Sequence, residues 1–155
     1  MYPRLASEKK IITAFPRKGR GSVQSYVSAD DIGVFAAASL DPDGVGGGVY
    51  DRLRDKRVKI GSVDLTVGEV VESLNGKLEE WGKEERVELE NLGREEAEGR
   101  RGKDLILDSQ LFLTDNPVVV DVDGCRGVGL ELLRGGVEGY WEREKERVLE
   151  AVGLK

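Results

Sequence analysis

TVGEVVESLNGKLEEW, residues 66–81, carries the clearest local structural signal in the chain. Thr66 followed three residues later by Glu69 is a capping-box pattern, which satisfies two backbone N–H groups at the start of a helix. The apolar residues that follow recur at helical spacing and define one face of an amphipathic helix. They are Val67, Val70, Val71, Leu74, Leu78 and Trp81. The pattern predicts a helix over 66–81, although Gly68 and Gly76 each cost about 1 kcal/mol relative to alanine.

A second amphipathic helix is predicted for about 138–152, with Trp141, Val148 and Val152 on its apolar face and Gly153 as its stop signal. Between and before the two helices, short apolar runs bounded by turn residues are typical of strands. These runs are 9–15, 22–27, 57–65, 85–92, 104–113 and 117–123. Strands and helices without regular alternation predict an α+β fold with a largely antiparallel sheet and these two main helices.

The domain organisation follows from length and from local composition. A chain of 155 residues corresponds to one domain, residues 1–155. Residues 1–28 hold six Lys or Arg against Glu8 alone, and we expect this basic N-terminal arm to form a hairpin. Ser28 and Asp31 favour a helix over 29–40, although the same run also alternates as a strand. DPDGVGGG, residues 41–48, predicts a flexible glycine-rich loop.

Composition excludes several classes of chemistry. The chain has no His and only Cys125, so Ser-His-Asp catalysis, imidazole ligands, an internal disulfide and a cysteine zinc site are ruled out. Its apolar runs are shorter than the roughly 20 residues of a membrane span, and its charged first residues do not resemble a secretory signal. We therefore expect a soluble cytoplasmic protein with no membrane contact. A charged fraction of 35% is typical of thermophiles.

The stretch VVVDVDG, residues 118–124, raises the question of a metal site. RRGKDLIL, a turn and PVVVDVDG resemble the core of the restriction-endonuclease-like nucleases, in which an Asp and a hairpin lead to an apolar strand. The resemblance implies that Asp104 and Asp121 hold Mg²⁺ or Mn²⁺, with Glu72 as a further ligand, and that the metal activates water for phosphodiester cleavage. Asp123 stands where the family places its Lys, which is a departure from the pattern.

A turn is the alternative interpretation of the same residues. Asp121 and Asp123 then lie on one face of a strand, and Asp-Gly begins a turn in which the carboxylates are solvated or cap backbone amides. The chain uses the same D-x-D-G spelling at Asp41 to Gly44 inside an evident loop. On this interpretation neither carboxylate is catalytic.

The basic arm suggests a binding function. Arg17, Lys18 and Arg20 stand among glycines whose backbone can approach an anion, and Tyr26 could stack on a base. Residues 104–123 hold five Asp and no Lys or Arg, so attraction between the acidic and basic segments also suggests association between copies. We expect a non-catalytic binding or assembly module, a homo-oligomer or a protein that contacts nucleic acid or another anionic partner through the arm. The alternative is the Mg²⁺-dependent nuclease.

Overall fold

The computed structural model describes residues 5–16, 22–42, 50–51, 54–55, 60–116, 120 and 136–155. The chain contains two compact units, and the single domain expected for residues 1–155 stays a prediction. Unit 1 comprises Met1–Gln24, Leu65–Val118 and Trp141–Lys155, and unit 2 comprises Ser25–Asp64 and Val119–Tyr140. Residues 43–48 of the predicted glycine-rich loop lie outside the described residues.

Helices and strands mix without regular alternation, and the predicted α+β class is confirmed. The strands are β1 (Lys10–Thr13), β2 (Val23–Tyr26), β3 (Val63–Thr66) and β4 (Glu88–Asn91). The helices are α1 (Leu5–Glu8), α2 (Ala29–Leu40), α3 (Val67–Glu80), α4 (Arg94–Gly99), α5 (Leu105–Asp115), α6 (Gly136–Arg143) and α7 (Lys145–Ala151). No helix in the described ranges is long and apolar enough to cross a membrane.

Helix α3 confirms the prediction for residues 66–81. Thr66 Oγ1 accepts a hydrogen bond from the Glu69 N–H at 3.1 Å, and the Glu69 carboxylate accepts one from the Thr66 N–H at 2.7 Å. The bond from the Thr66 backbone is the main cause that lowers the pKa of Glu69. Val67, Val71, Leu74 and Leu78 are buried along the predicted face.

Strand pairing differs from the expected N-terminal hairpin. Strand β1 pairs with β4, in parallel and with Lys10 opposite Glu88 and Thr13 opposite Asn91, while β2 pairs with β3. The predicted antiparallel arrangement therefore does not extend to the β1–β4 pair, and β1 and β2 belong to different sheets. The physical reason is that Ile11 is buried in the core built on α3, an interaction between residues far apart in sequence.

Unit 1 is held by two apolar clusters. The larger cluster packs the start of the chain, helix α3 and helix α7 together, and its buried members are Leu5, Ile11, Phe15, Val67, Val71, Leu74, Leu78, Val87, Leu149 and Val152. The smaller cluster consists of Ala14, Leu92, Ala97, Leu107 and Leu111. At about 25 cal/mol for each Å² of apolar surface removed from water, these clusters supply the main stabilisation of the unit.

Residues 104–113 were expected to form a strand, and this prediction is wrong because they begin helix α5. Asp104 is the N-cap, and its Oδ1 accepts hydrogen bonds from the N–H groups of Ile106 and Leu107 at 3.0 and 3.2 Å. Leu107 and Leu111, one helical turn apart, are both 1% exposed. The leucine spacing fits the period of a strand and the period of a helix. The N-cap of Asp104 and the burial of Leu107 and Leu111 on one helix face favour the helix.

The predicted helix at 138–152 is present but divided. Helices α6 and α7 are separated by Glu144, whose ψ of 6° departs from helical geometry. Gly153 follows α7 with φ +66°, and the Leu154 N–H donates to Leu149 O at 2.8 Å, which closes the helix end. Lys9 Nζ donates to the carbonyl oxygens of Ala6 and Val152.

Unit 2 contains the predicted helix over 29–40. Ser28 Oγ accepts from the Asp31 N–H at 3.0 Å, so the expected cap is confirmed. Asp31 is buried and its Oδ2 accepts a hydrogen bond from Ser62 Oγ at 2.7 Å. Gly61 is required beside them, because a Cβ there would lie 2.9 Å from Val120 Cγ1.

Candidate functional site

The metal site implied by the nuclease resemblance does not form from the described residues. Asp104 begins a helix instead of a strand, and one carboxylate oxygen is already engaged by two backbone N–H groups. Asp121 and Asp123 lie outside the described residues. Within the described part of the chain, no three His, Cys, Asp or Glu side chains form a group that could hold a metal ion.

Glu72, the third expected ligand, lies on an exposed side of α3 in unit 1. It lines a cleft of about 240 Å³ together with Thr13, Phe15, Pro16, Thr66, Val67, Gly68, Leu89 and Asn91. Among the described residues, Glu72 has no hydrogen bond or ion pair. The cleft was not expected from the sequence, because its walls come from segments that are far apart in the chain.

The expected anion-binding residues are only partly described. Arg17, Lys18 and Arg20 lie outside the described residues. Tyr26 ends strand β2, is half-buried, and its carbonyl oxygen accepts a hydrogen bond from the Ser62 N–H at 2.8 Å. The contact of the arm with an anion therefore stays a prediction.

Helix α5 presents an apolar surface to solvent. Leu105 and Phe112 are 84% and 64% exposed, and their separation of seven residues places them on one helix face, about 10 Å apart. Ser109 lies between them, exposed, with its hydroxyl donating to Leu105 O at 2.8 Å. We call Leu105, Ser109 and Phe112 the α5 stripe.

Charged residues of both signs stand at the ends of α5. Arg101 and Lys103 precede the helix, are exposed, and have no side-chain partner in the described ranges. Asp115 stands at the carboxyl end and accepts two hydrogen bonds from Arg94, at 2.7 and 2.9 Å. These bonds are the main cause that raises the pKa of Arg94. Arg101, Lys103 and Asp115 stand at the ends that the macrodipole disfavours for their charge, whereas Asp104 at the N-cap and Asp108 in the first turn stand at the favoured end.

The two tryptophans are structural. Trp81 and Trp141 are half-buried and pack against the larger cluster. Trp141 Nε1 donates to Ser73 Oγ at 2.9 Å, and Trp81 Nε1 donates to Glu142 Oε1 at 3.3 Å. The same Glu142 oxygen lies 3.2 Å from Lys77 Nζ, so these polar contacts fasten α6 to α3.

No protein family, curated protein or solved structure matches this chain. Functional inference therefore depends on the surfaces just described. The α5 stripe had no signal in the sequence, since an apolar run cannot reveal which of its leucines faces water. The exposure of Arg101 and Lys103 could have been predicted from the sequence, because the two residues stand in a run with almost no apolar residues.

Proposed function

We propose that this chain is a non-catalytic assembly module that associates with a second copy of itself through the α5 stripe. The observation that carries the proposal is the exposure of Leu105 and Phe112 on one helix face, beside two cations without a side-chain partner in the described part of the chain. Removing these side chains from water on association is favourable by roughly 25 cal/mol for each Å² buried.

The stripe is self-complementary in shape. In a two-fold dimer, the same patch faces itself, so residues away from the axis meet a different residue of the second copy and residues on the axis meet their own counterpart. Two antiparallel α5 helices would set Leu105 of one copy beside Phe112 of the second copy, with the small Ser109 at the crossing point. Helices pack closely where a small side chain lies opposite larger ones.

The end charges also favour the antiparallel arrangement. Arg101 and Lys103 of one copy would approach the carboxyl end of α5 in the second copy, where the carbonyl groups carry partial negative charge and Asp115 stands. The charges that oppose the dipole within one copy would thus stabilise the dimer. This complementarity supports a second copy as the partner.

The basic arm would supply a further contact with the second copy. Arg17, Lys18 and Arg20 are suited to an anionic partner, and a chain of net charge −6 is itself such a partner. Nucleic acid remains the other anion to which the arm is suited, and the cytoplasmic location stays a prediction. A nuclease is not proposed, because Asp104 caps α5 where the nuclease pattern requires a strand.

Sedimentation velocity over a wide concentration range tests the proposal. The variant Leu105→Glu places a charge in the stripe, and Leu40→Glu is the matched control, since Leu40 is a leucine at a helix end that is 78% exposed. We expect the wild type and Leu40→Glu to associate and Leu105→Glu to sediment as a monomer. A wild type that stays monomeric, or equal behaviour of the two variants, overturns the proposal.

A further inference from the structure

We propose that the cleft of unit 1 is a binding site for a small organic cation, an alkylammonium compound with a short apolar chain. The inference is independent of the proposed assembly, because it concerns the cleft lined by Glu72 and not the α5 stripe. Its volume of about 240 Å³ is below the roughly 300 to 1,000 Å³ of sites for drug-sized molecules, so the ligand is small.

The position of the cleft in the fold favours ligand binding. Parallel strands β1 and β4 both end there, at the opposed residues Thr13 and Asn91, and helix α3 begins there. In open α/β sheets, ligands bind in the crevice beyond the carboxyl ends of the parallel strands, and the β1–β4 pair presents an edge of the same kind at this cleft.

The walls of the cleft are suited to an alkyl chain. Phe15, Pro16, Val67 and Leu89 supply apolar lining, and Thr13, Thr66, Glu72 and Asn91 supply polar groups. The apolar part of such a lining binds an alkyl chain by burial, and the polar groups orient the head group of the ligand.

The charge of the cleft selects a cation. The start of a helix carries partial positive charge, but here the Glu69 carboxylate lies on the Thr66 N–H and offsets it. Glu72 remains as a carboxylate without a partner in the part of the chain that the structure describes. A negative charge at an apolar cleft attracts a cation and repels an anion.

A second acceptor lies in the same cleft. Asn91 Nδ2 donates to Phe15 O, which fixes the amide and leaves Asn91 Oδ1 without a hydrogen bond among the described residues. An ammonium group has three donors, and the Glu72 carboxylate and Asn91 Oδ1 can accept two of them.

The test is a titration with n-butylammonium chloride followed by the backbone amide resonances of Gly68 and Asn91, at constant ionic strength set with sodium chloride. We expect saturable shifts for the wild type and a loss of affinity of about fivefold or more for Glu72→Gln, because an ion pair between ammonium and carboxylate is replaced by a hydrogen bond from the ammonium to a neutral amide. Glu79→Gln, an exposed carboxylate on the same helix outside the cleft, is the matched control and should bind as the wild type does.

Neutral n-butanol separates charge recognition from simple burial of the chain. The wild type should bind n-butanol more weakly than n-butylammonium. The affinity for n-butanol should be the same in the wild type and in Glu72→Gln. Absence of saturable shifts, equal affinity of Glu72→Gln and wild type for the cation, or equal affinity for cation and alcohol overturns the proposal. Because Glu72 is exposed, the variant should keep the melting temperature of the wild type, which confirms that the fold is unchanged.

Discussion

The side chain of Asn75 satisfies both backbone polar groups of Val87. Asn75 Nδ2 donates to Val87 O at 2.9 Å, and Asn75 Oδ1 accepts from the Val87 N–H at 2.7 Å. Val87 immediately precedes strand β4, and its side chain is 3% exposed. The amide of Asn75 thus acts as a neighbouring strand would, and it ties helix α3 to the start of β4.

Replacement of Asn75 by Ala should therefore destabilise unit 1. The variant leaves a buried N–H and a buried carbonyl without partners, and we expect a loss of about 2 to 4 kcal/mol in the free energy of unfolding. Urea denaturation followed by tryptophan fluorescence measures it. Asn116→Ala is the control, since Asn116 bonds Phe112 O at an exposed position and should cost under about 1 kcal/mol. Equal losses in the two variants would contradict this role of Asn75.

Two glycines with similar backbone angles should respond differently to alanine. Gly153 and Gly82 have φ of +66° and +72°, so alanine at either position costs about 1 kcal/mol of backbone strain. At Gly153 the added Cβ would also lie 2.8 Å from Ala6 O, whereas at Gly82 nothing lies within 4 Å. Thermal unfolding should therefore show a clearly larger loss for Gly153→Ala than for Gly82→Ala.

Stability should fall on acidification partly through Glu142. Hydrogen bonds from Lys77 and Trp81 lower the pKa of Glu142 below its ordinary value of 4.5. Because the folded state favours the carboxylate, this contribution is complete above the ordinary pKa and is lost as pH falls through the lowered value. Denaturation at a series of pH values should show a weaker acid dependence for Glu142→Gln than for the wild type.

The control for this pH dependence is Glu84→Gln. Glu84 is exposed and has no hydrogen bond or ion pair among the described residues, so its variant should keep the acid dependence of the wild type. Trp81 fluorescence provides a local signal, because its indole N–H donates to the Glu142 carboxylate. If Glu142→Gln kept the wild-type dependence of stability on pH, the contacts of Glu142 with Lys77 and Trp81 would not contribute to the loss of stability in acid.

Association between copies should depend on the charges that precede α5. Reversal of one cation, Lys103→Glu, should weaken the dimer by a few-fold, because an exposed charge contact contributes at most about 1 kcal/mol. Arg86→Glu is the matched control, since Arg86 is exposed and unpaired in the described ranges but is distant in sequence from α5. Sedimentation equilibrium at two salt concentrations measures both effects, and added salt should weaken the wild-type dimer.

The elements that could be predicted from sequence are those with local signals. The capping box of Thr66 and Glu69 and the cap of Ser28 on Asp31 act within four residues, so the sequence reveals the start of α3 and of α2 directly. Strand β1 was also identified from its apolar run. Its partner was not, because pairing with β4 depends on packing between segments about 78 residues apart.

The candidate site was largely beyond prediction for the same reason. Asp104 was interpreted as a metal ligand on a strand, but the leucines after it fit a helix equally well, and the burial of Leu107 and Leu111 decided between the two. Glu72 was expected as a metal ligand on α3, and the structure places it, exposed, at the cleft; the described residues form no group that could hold a metal ion. The cleft around it is made by tertiary structure alone.

The larger core cluster of unit 1 also limits how the chain can fold during synthesis. Leu5 and Ile11 pack in the same cluster as Leu149 and Val152, so the cluster cannot close until nearly the whole sequence between them has left the ribosome. Contacts between such distant residues require the closure of a long loop, which slows folding. Helix α3 can form early, because the residues of its capping box are close in sequence. Its apolar face then stays exposed until the rest of the cluster is present. Until α7 has been synthesised, the apolar face of α3 lacks the residues Leu149 and Val152 that complete its cluster.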